Sequence, residues 1–160
     1  MDAPDIRPLT ADQLRAVKSI IDDVGLFAPD LLDEMTAAFL DGAAPDDLWF
    51  VAVADGTACG VAYCAPERMT EGAWNLLLIA VRKNHQGEGL GAALTRHVEQ
   101  ALAERKARIV LVETSGLPSF EPTRAVYRRL GYVEEARIRD FYAAGEDKVV
   151  FWKKIQSVAA

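Results

Sequence analysis

The sequence predicts an α/β protein, a mixed central sheet flanked by helices. Three observations carry that prediction. Residues 14–40 place apolar side chains at helical spacing, and from Trp49 the apolar pattern switches to period two. Two later runs, Trp74–Val81 and Arg108–Thr114, are apolar on both faces, as strands buried within a sheet are. A glycine-rich joint, Gly87 to Gly91, links the first of these runs to a helical stretch.

The elements follow in order. Asp5-Ile6-Arg7-Pro8-Leu9 reads as a short first strand. Thr10 is a good N-cap for a helix carrying Leu14, Val17, Ile20, Ile21 and Val24 on one side. A second helix is expected over Pro29–Leu40, ended by Asp41-Gly42. Trp49–Ala54 and Ala58–Ala65 form a hairpin around Asp55-Gly56. Trp74–Val81 is the next strand, and Gly91–Lys106 a helix with Leu94, Val98, Ala101 and Leu102 along one face. Arg108–Thr114 is a buried strand. Pro122–Leu130 is a short helix, with Pro122 in its first turn and Gly131 just past its end. Tyr132–Arg139 and Lys148–Ile155 close the sheet, giving the order β-α-α-β-β-β-α-β-α-β-β.

Length and charge exclude several classes. A chain of 160 residues fits one domain, 1–160, of roughly the usual 100–200 residues. With 51% hydrophobic and 26% charged residues it is globular rather than disordered. A net charge of −6 argues against a nucleic-acid partner, whose phosphates favour clustered Lys and Arg. No apolar run approaches the roughly 18–20 residues of a membrane span. Met1-Asp2-Ala3-Pro4-Asp5 is acidic and lacks an apolar core, so no secretory signal is expected. Cys59 and Cys64, five apart on an extended segment, point to opposite faces and are not expected to bridge. His85 and His97 are not spaced as metal ligands. A reducing, cytoplasmic setting and no metal are the expectations.

The chemistry concentrates in Val81-Arg82-Lys83-Asn84-His85-Gln86-Gly87-Glu88-Gly89-Leu90-Gly91-Ala92. Alternating glycines at a strand–helix joint let backbone amides converge, and the helix N-terminus adds a positive dipole. It reads as an anion site suited to phosphate, with a merely tight strand–helix turn open beside that. A dinucleotide fold has points in its favour. Gly87-x-Gly89-x-x-Ala92 fits the Rossmann fingerprint, and Glu113 stands where a ribose-binding acid belongs. Against it, Arg82–Gln86 separate the strand from the first glycine, and only one further helix follows.

Gln86-x-x-Gly89-x-Gly91, after Leu78-Ile79-Ala80-Val81, resembles the signature of the GNAT superfamily of N-acetyltransferases. Tyr127-Arg128-Arg129-Leu130-Gly131-Tyr132 resembles its second marker, Tyr-x-x-x-Gly-Phe/Tyr. The element order is similar to the family fold from end to end. The resemblance implies an enzyme that moves the acetyl group of acetyl-CoA to a primary amine by direct transfer in a ternary complex. It implies that pantetheine lies between Trp74–Val81 and Arg108–Thr114, paired with backbone groups around Ile79, Ala80 and Val81. The pyrophosphate would then sit on the amides of Gln86, Gly87, Glu88, Gly89, Leu90, Gly91 and Ala92. Relatives often carry Arg or Lys at the positions of Gln86 and Glu88. This chain has neither, so Arg82, Lys83 or Arg124 is expected to screen phosphate charge.

Transfer to an amine poses two proton problems. A free alkylamine, with a pKa near 10, must lose a proton before it attacks, and the departing thiolate must gain one. Tyr127 matches the family's general acid; read only as a residue, it is equally an aromatic packing the short helix. Glu113 shares a strand face with Ile109 and Leu111 and is either a base or substrate-orienting carboxylate or a structural, ion-paired one. A backbone N–H near Ile79–Val81 would meet the oxyanion. Asp140-Phe141-Tyr142 and Gly145-Glu146-Asp147 read as a loop between the last two strands. Asp140 and Tyr142 suit a cationic acceptor, and a plain hairpin loop stays open beside that. His97 reads as a packing residue. A small-molecule or peptide amine is the expected partner, with a homodimer possible. Two rivals remain: a non-catalytic acyl-CoA-binding module and an NAD(P)-binding oxidoreductase.

Overall fold

A computed structural model describes residues 3–156. Met1 and Asp2, which open the segment tested for a secretory signal, lie outside the described residues. Seven strands form one sheet in the order β1-β2-β3-β4-β5-β7-β6, with helices α1 to α4 between them. The strands are β1 (Asp5–Pro8), β2 (Leu48–Ala54), β3 (Thr57–Pro66), β4 (Ala73–Val81), β5 (Ile109–Ser115), β6 (Val133–Ala143) and β7 (Glu146–Lys154). The helices are α1 (Leu14–Val24), α2 (Leu31–Leu40), α3 (Leu90–Glu104) and α4 (Glu121–Arg129). The predicted order is therefore observed, with boundaries shifted by one to three residues at most ends.

The chain forms two compact units, Met1–Ala65 with Leu78–Gln100, and Pro66–Leu77 with Ala101–Ala160. In the first unit, β1, β2 and β3 pair antiparallel around the Asp55-Gly56 turn. Asp55 and Gly56 both take positive φ (52° and 78°), which a two-residue hairpin demands. The predicted stripe of α1 is confirmed, since Val17, Ile20 and Ile21 are fully buried. They pack with Leu9, Leu32, Trp49, Val51, Val61, Leu78 and Ala80 in one apolar cluster. Burying such side chains contributes about 1.5–3 kcal/mol each. Thr10 does not cap α1. A short 3-10 turn, Ala11–Gln13, precedes the helix, and the Thr10 hydroxyl bonds Asp12 instead. His97 stacks edge-on against Phe50 at 4.6 Å, the packing role expected of it.

In the second unit, β4 and β5 pair parallel from Ala73↔Ile109 to Leu76↔Val112. β7 inserts antiparallel beside β5, and β6 lies at the outer edge against β7. Among the described residues the ladder of β4 with β5 stops at Leu76. β4 continues to Val81 and β5 to Ser115. One expectation changes here. Asp140, Phe141 and Tyr142 are not in the loop: β6 runs on to Ala143, and only Ala144-Gly145 turn. A wide register shift between Ile138 and Ala143 accommodates the extra residues, helped by the left-handed backbone of Asp140 (φ 54°).

Candidate active site

In the first unit the joint between β4 and α3 forms a compact loop. A 3-10 turn, Lys83–His85, follows the strand, and the loop is anchored at both sides. Arg82 donates its backbone N–H to Cys59 and its guanidinium to Ser19 (3.0 Å), while the Lys83 N–H donates to Asp23 (2.8 Å). Arg82 therefore fastens the loop to α1. The Gln86 side chain turns back, its Nε2 donating to the Val81 carbonyl at 3.0 Å, and its backbone N–H bonds Lys83. Both groups of Gln86 hold the turn, so the exposed amides begin at Gly87.

Gly87 and Gly89 lie at φ 85° and 82°, in the left-handed region where a side chain is strained. A Cβ at Gly87, Gly89 or Gly91 would meet nothing within 4 Å, so this backbone is uncovered. The first i→i−4 bond of α3 here is from Ala93 to Gly89. Helix geometry thus leaves the N–H groups of Leu90, Gly91 and Ala92 without an intrahelical acceptor. Successive amides in such turns form an anion-binding concavity, reinforced by the dipole of a 15-residue helix. The acid in the loop is partnered: Glu88 meets His85 Nδ1 at 3.1 Å.

The second unit holds the titratable groups. Glu113, near the end of β5, accepts from Asn75 Nδ2 (3.3 Å) and pairs with Lys148 Nζ (3.0 Å). Asn75 also donates to Glu67 at 2.9 Å, and its own Oδ1 is buried without a protein partner. Lys148 lies over the Phe141 ring, 4.0 Å from its centroid, and Phe141 meets Tyr142 edge to face at 5.1 Å. Partial burial raises the Tyr142 phenol, and the nearby carboxylates of Glu113 and Glu146 add to it. The bulged end of β6 thus carries Phe141 and Tyr142 to the Glu113–Lys148 pair.

Sequence reasoning named Glu113 and Tyr142 but not Asn75, Glu67 or Lys148. Lys148 reaches Glu113 because β7 inserts antiparallel, setting Glu113 opposite Val150 and Ser115 opposite Lys148. No local signal states that pairing. Asp140 serves the turn, accepting from the Gly145 N–H (2.9 Å) and donating its own N–H to Asp147 (3.0 Å).

Tyr127, on α4, is 6% exposed. It packs between Tyr132 and Phe151, with centroids 5.6 and 5.7 Å away. Burial pushes its phenol up to about 12, so it keeps its proton throughout the neutral range. Arg124 is placed differently from expectation. It is 5% exposed, neither a solvated residue nor one reaching outward. Its guanidinium donates to the carbonyls of Ser115 and Leu117 and, from Nε and one terminal nitrogen, to Glu121. These bonds close the turn between β5 and α4.

A glycine loop with uncovered backbone follows β4, then a crossover helix, and a tyrosine-bearing short helix precedes the last two strands, an arrangement that suits an acyltransferase. β4 and β5 pair parallel, but β7 pairs antiparallel with both β5 and β6, unlike the repeated parallel units of a dinucleotide-binding fold. Residues 45–134 match the family model described as the acetyltransferase (GNAT) domain, more than half of the chain. The chain belongs to the GNAT family and is an N-acetyltransferase, a family that uses acetyl-CoA. It is 27% identical to phosphinothricin N-acetyltransferase of Streptomyces viridochromogenes, over 94% of this chain and 86% of that protein. A structure described as a GNAT-family acetyltransferase from Desulfovibrio desulfuricans superposes with a TM-score of 0.88 at 30% identity, covering 96% of this chain and 99% of that one. The fold is shared too with the ribosomal-protein-S18-alanine N-acetyltransferase of Escherichia coli (TM-score 0.78, 22% identity, 98% and 96% covered). It is likewise shared with an aminoglycoside 6'-N-acetyltransferase solved with coenzyme A (TM-score 0.75, 14% identity, 98% and 99% covered). Among the described residues no helix is long and apolar enough to cross a membrane.

Proposed function

We propose that this single-domain enzyme transfers the acetyl group of acetyl-CoA directly to a primary amine of a small molecule, in a ternary complex. The observation that carries the proposal is the uncovered Gly87–Ala92 backbone at the N-terminus of α3, with left-handed glycines at 87 and 89. Its amides suit a pyrophosphate although no Arg or Lys stands between Gln86 and Ala92. The β4 segment around Ile79, Ala80 and Val81, past the end of its ladder with β5, supplies backbone groups for the pantetheine amides.

The amine nitrogen attacks the thioester carbon, and the carbonyl oxygen gains charge that a β4 amide N–H stabilises. The C–S bond then breaks. Before the attack the bound ammonium loses one proton to Glu113, directly or through water; as the C–S bond breaks the thiolate takes a proton from Tyr127, and the second nitrogen proton restores the phenol by way of water. The assignment of Tyr127 rests on its place in the Tyr-x-x-x-Gly-Tyr motif and on a phenol that stays protonated. Glu113, Tyr142 and Glu146 favour a cationic acceptor. The named substrate of the Streptomyces relative supports a small-molecule amine. Two free, buried cysteines accord with a reducing, cytoplasmic setting.

One observation favours a second reading, a domain that binds acyl-CoA without turnover: Glu113 is already engaged by Lys148. Thiol release across an amine panel decides between the two. Thermal stabilisation by acetyl-CoA but not NADH is expected. No stabilisation by any CoA species refutes the cofactor assignment, and binding without thiol release for any amine refutes catalysis.

A further inference from the structure

One buried side chain carries a polar group that the fold does not satisfy. Asn75 on β4 is 3% exposed, and the two hydrogens of its Nδ2 are engaged by carboxylates, Glu67 at 2.9 Å and Glu113 at 3.3 Å. That leaves Oδ1 buried without a protein partner. Turning the amide over would set Oδ1 against both acids, so their charges fix its orientation. A buried, unpaired acceptor costs stability, whereas an apolar side chain of the same shape would not. The neighbours of Asn75 on its sheet face include Ala73 on β4 and Leu111 opposite it on β5. Leucine would suit such a position, and a sequence departs from the stable choice where function requires it.

The two acids are held differently. Glu67 follows the end of β3 with its backbone tied down. Its N–H donates to the Ala73 carbonyl at 2.8 Å, and its own carbonyl accepts from the Thr70 hydroxyl at 2.9 Å. Asn75 stands opposite Leu111 in the parallel pair, and Glu113 is two residues further along β5, on the same face. Asn75 therefore meets Oε1 of Glu113 from within the sheet, while Lys148 pairs with Oε2 from β7. The amide is short and enclosed. The ammonium of Lys148 rides a flexible four-carbon stem and also lies over the Phe141 ring.

We propose that Asn75 is a positioning residue for Glu113, anchored in turn by Glu67. The proposal rests on the reading of Glu113 as the base. An acceptor ammonium that reaches Glu113 exchanges with Lys148 at Oε2, the partner on the flexible stem. The Asn75 bond at Oε1 stays and keeps the carboxylate aimed. Asn75 and Glu67 transfer no proton; they hold Oε1 while Oε2 accepts one. A reacting group held by a second group, itself oriented by a third, is a recurring way to fix a reactive geometry. A misplacement of about 1 Å costs about 10²-fold in rate. The Glu113–Lys148 pair is then the resting state of the base, and Asn75 is what preserves its aim when that pair opens.

Thiol release with acetyl-CoA and a panel of alkylamines, amino acids and phosphinothricin tests this, read on the amine that wild type turns over fastest. Asn75→Leu is expected to lower kcat by about 10–10²-fold with the KM for acetyl-CoA unchanged. Its melting temperature is expected to match or exceed that of wild type, because the orphaned oxygen is gone. A purely structural Asn75 predicts the reverse, a lower melting temperature with kcat retained, and that result overturns the proposal. Glu67→Ala is expected to lower kcat less. The double variant is expected to be no slower than Asn75→Leu alone, since Glu67 acts through Asn75. Glu113→Gln separates this proposal from the reading beneath it. Wild-type kcat in Glu113→Gln refutes Glu113 as the base and the proposal with it, and a wild type that releases no thiol with any amine refutes both. A slow Glu113→Gln beside Asn75→Leu or Glu67→Ala at wild-type kcat overturns the positioning role alone. So does a double variant in which the two losses multiply.

Discussion

Tyr127 offers the sharpest quantitative test, because its burial acts on stability and catalysis separately. Its phenol rises from the ordinary 10 to about 12 through desolvation in the aromatic cluster with Tyr132 and Phe151. The sign follows from linkage. The unfolded chain ionises Tyr127 near pH 10, whereas the folded chain resists until about 12, so the contribution is present in full below pH 10. It is lost as the pH rises through that window. At about pH 11 the loss is about 1.4 kcal/mol, and above pH 12 it approaches about 2.7 kcal/mol, at 1.36 kcal/mol per pKa unit. Urea unfolding at about pH 8 and about pH 11, for wild type and Tyr127→Phe, isolates it. The variant is expected to lose about 1.4 kcal/mol less than wild type between the two conditions. Other tyrosines and the lysines titrate alike in both proteins and cancel. The same substitution is expected to slow turnover by about 10²–10⁴-fold with acetyl-CoA affinity retained. Equal alkaline losses in the two proteins refute the burial argument. A wild-type fall in kcat near pH 9–10 that vanishes in the variant refutes a phenol at about 12.

Three further outcomes are expected. Gly89→Glu places a side chain at φ 82° and a carboxylate on the loop amides, and is expected to abolish acetyl-CoA binding by calorimetry; retained affinity refutes the loop assignment. Glu88→Gln removes an exposed charge from that loop, and is expected to tighten acetyl-CoA by about 2–5-fold at low salt, the scale of a surface charge interaction; weaker binding refutes the view that Glu88 opposes the phosphates. Arg124→Met leaves the Ser115 and Leu117 carbonyls without their donor and is expected to cost about 2–4 kcal/mol of stability, with the KM for acetyl-CoA unchanged. A raised KM without that loss returns Arg124 to the cofactor site.

The legible parts of the site were those whose chemistry is local. Gly87, Gly89 and Gly91 advertise a turn that only small residues permit, and their spacing against Val81 and Ala92 places that turn at a helix start. Tyr127 was legible through its offset from Gly131. Glu113 was legible as a carboxylate on a buried strand, but its partners were not, because Asn75 and Lys148 come from strands far along the chain. Asp140, on β6, and Arg124, buried, are placed differently from expectation for a related reason. Both are polar residues near the expected site, and their own turns use their hydrogen-bonding groups first.

Period-two and helical spacing, two apolar strands and the glycine joint determined the element order and the position of the anion loop. These depend on nearest-neighbour geometry, which side-chain periodicity encodes directly. Tertiary structure alone decided that β7 inserts between β5 and β6, that the Ile138–Ala143 bulge brings Tyr142 to Glu113, and that Lys148 faces that carboxylate. Strand order and register are set by closure of the whole core, where many weak apolar contacts compete, and no single segment records the winner.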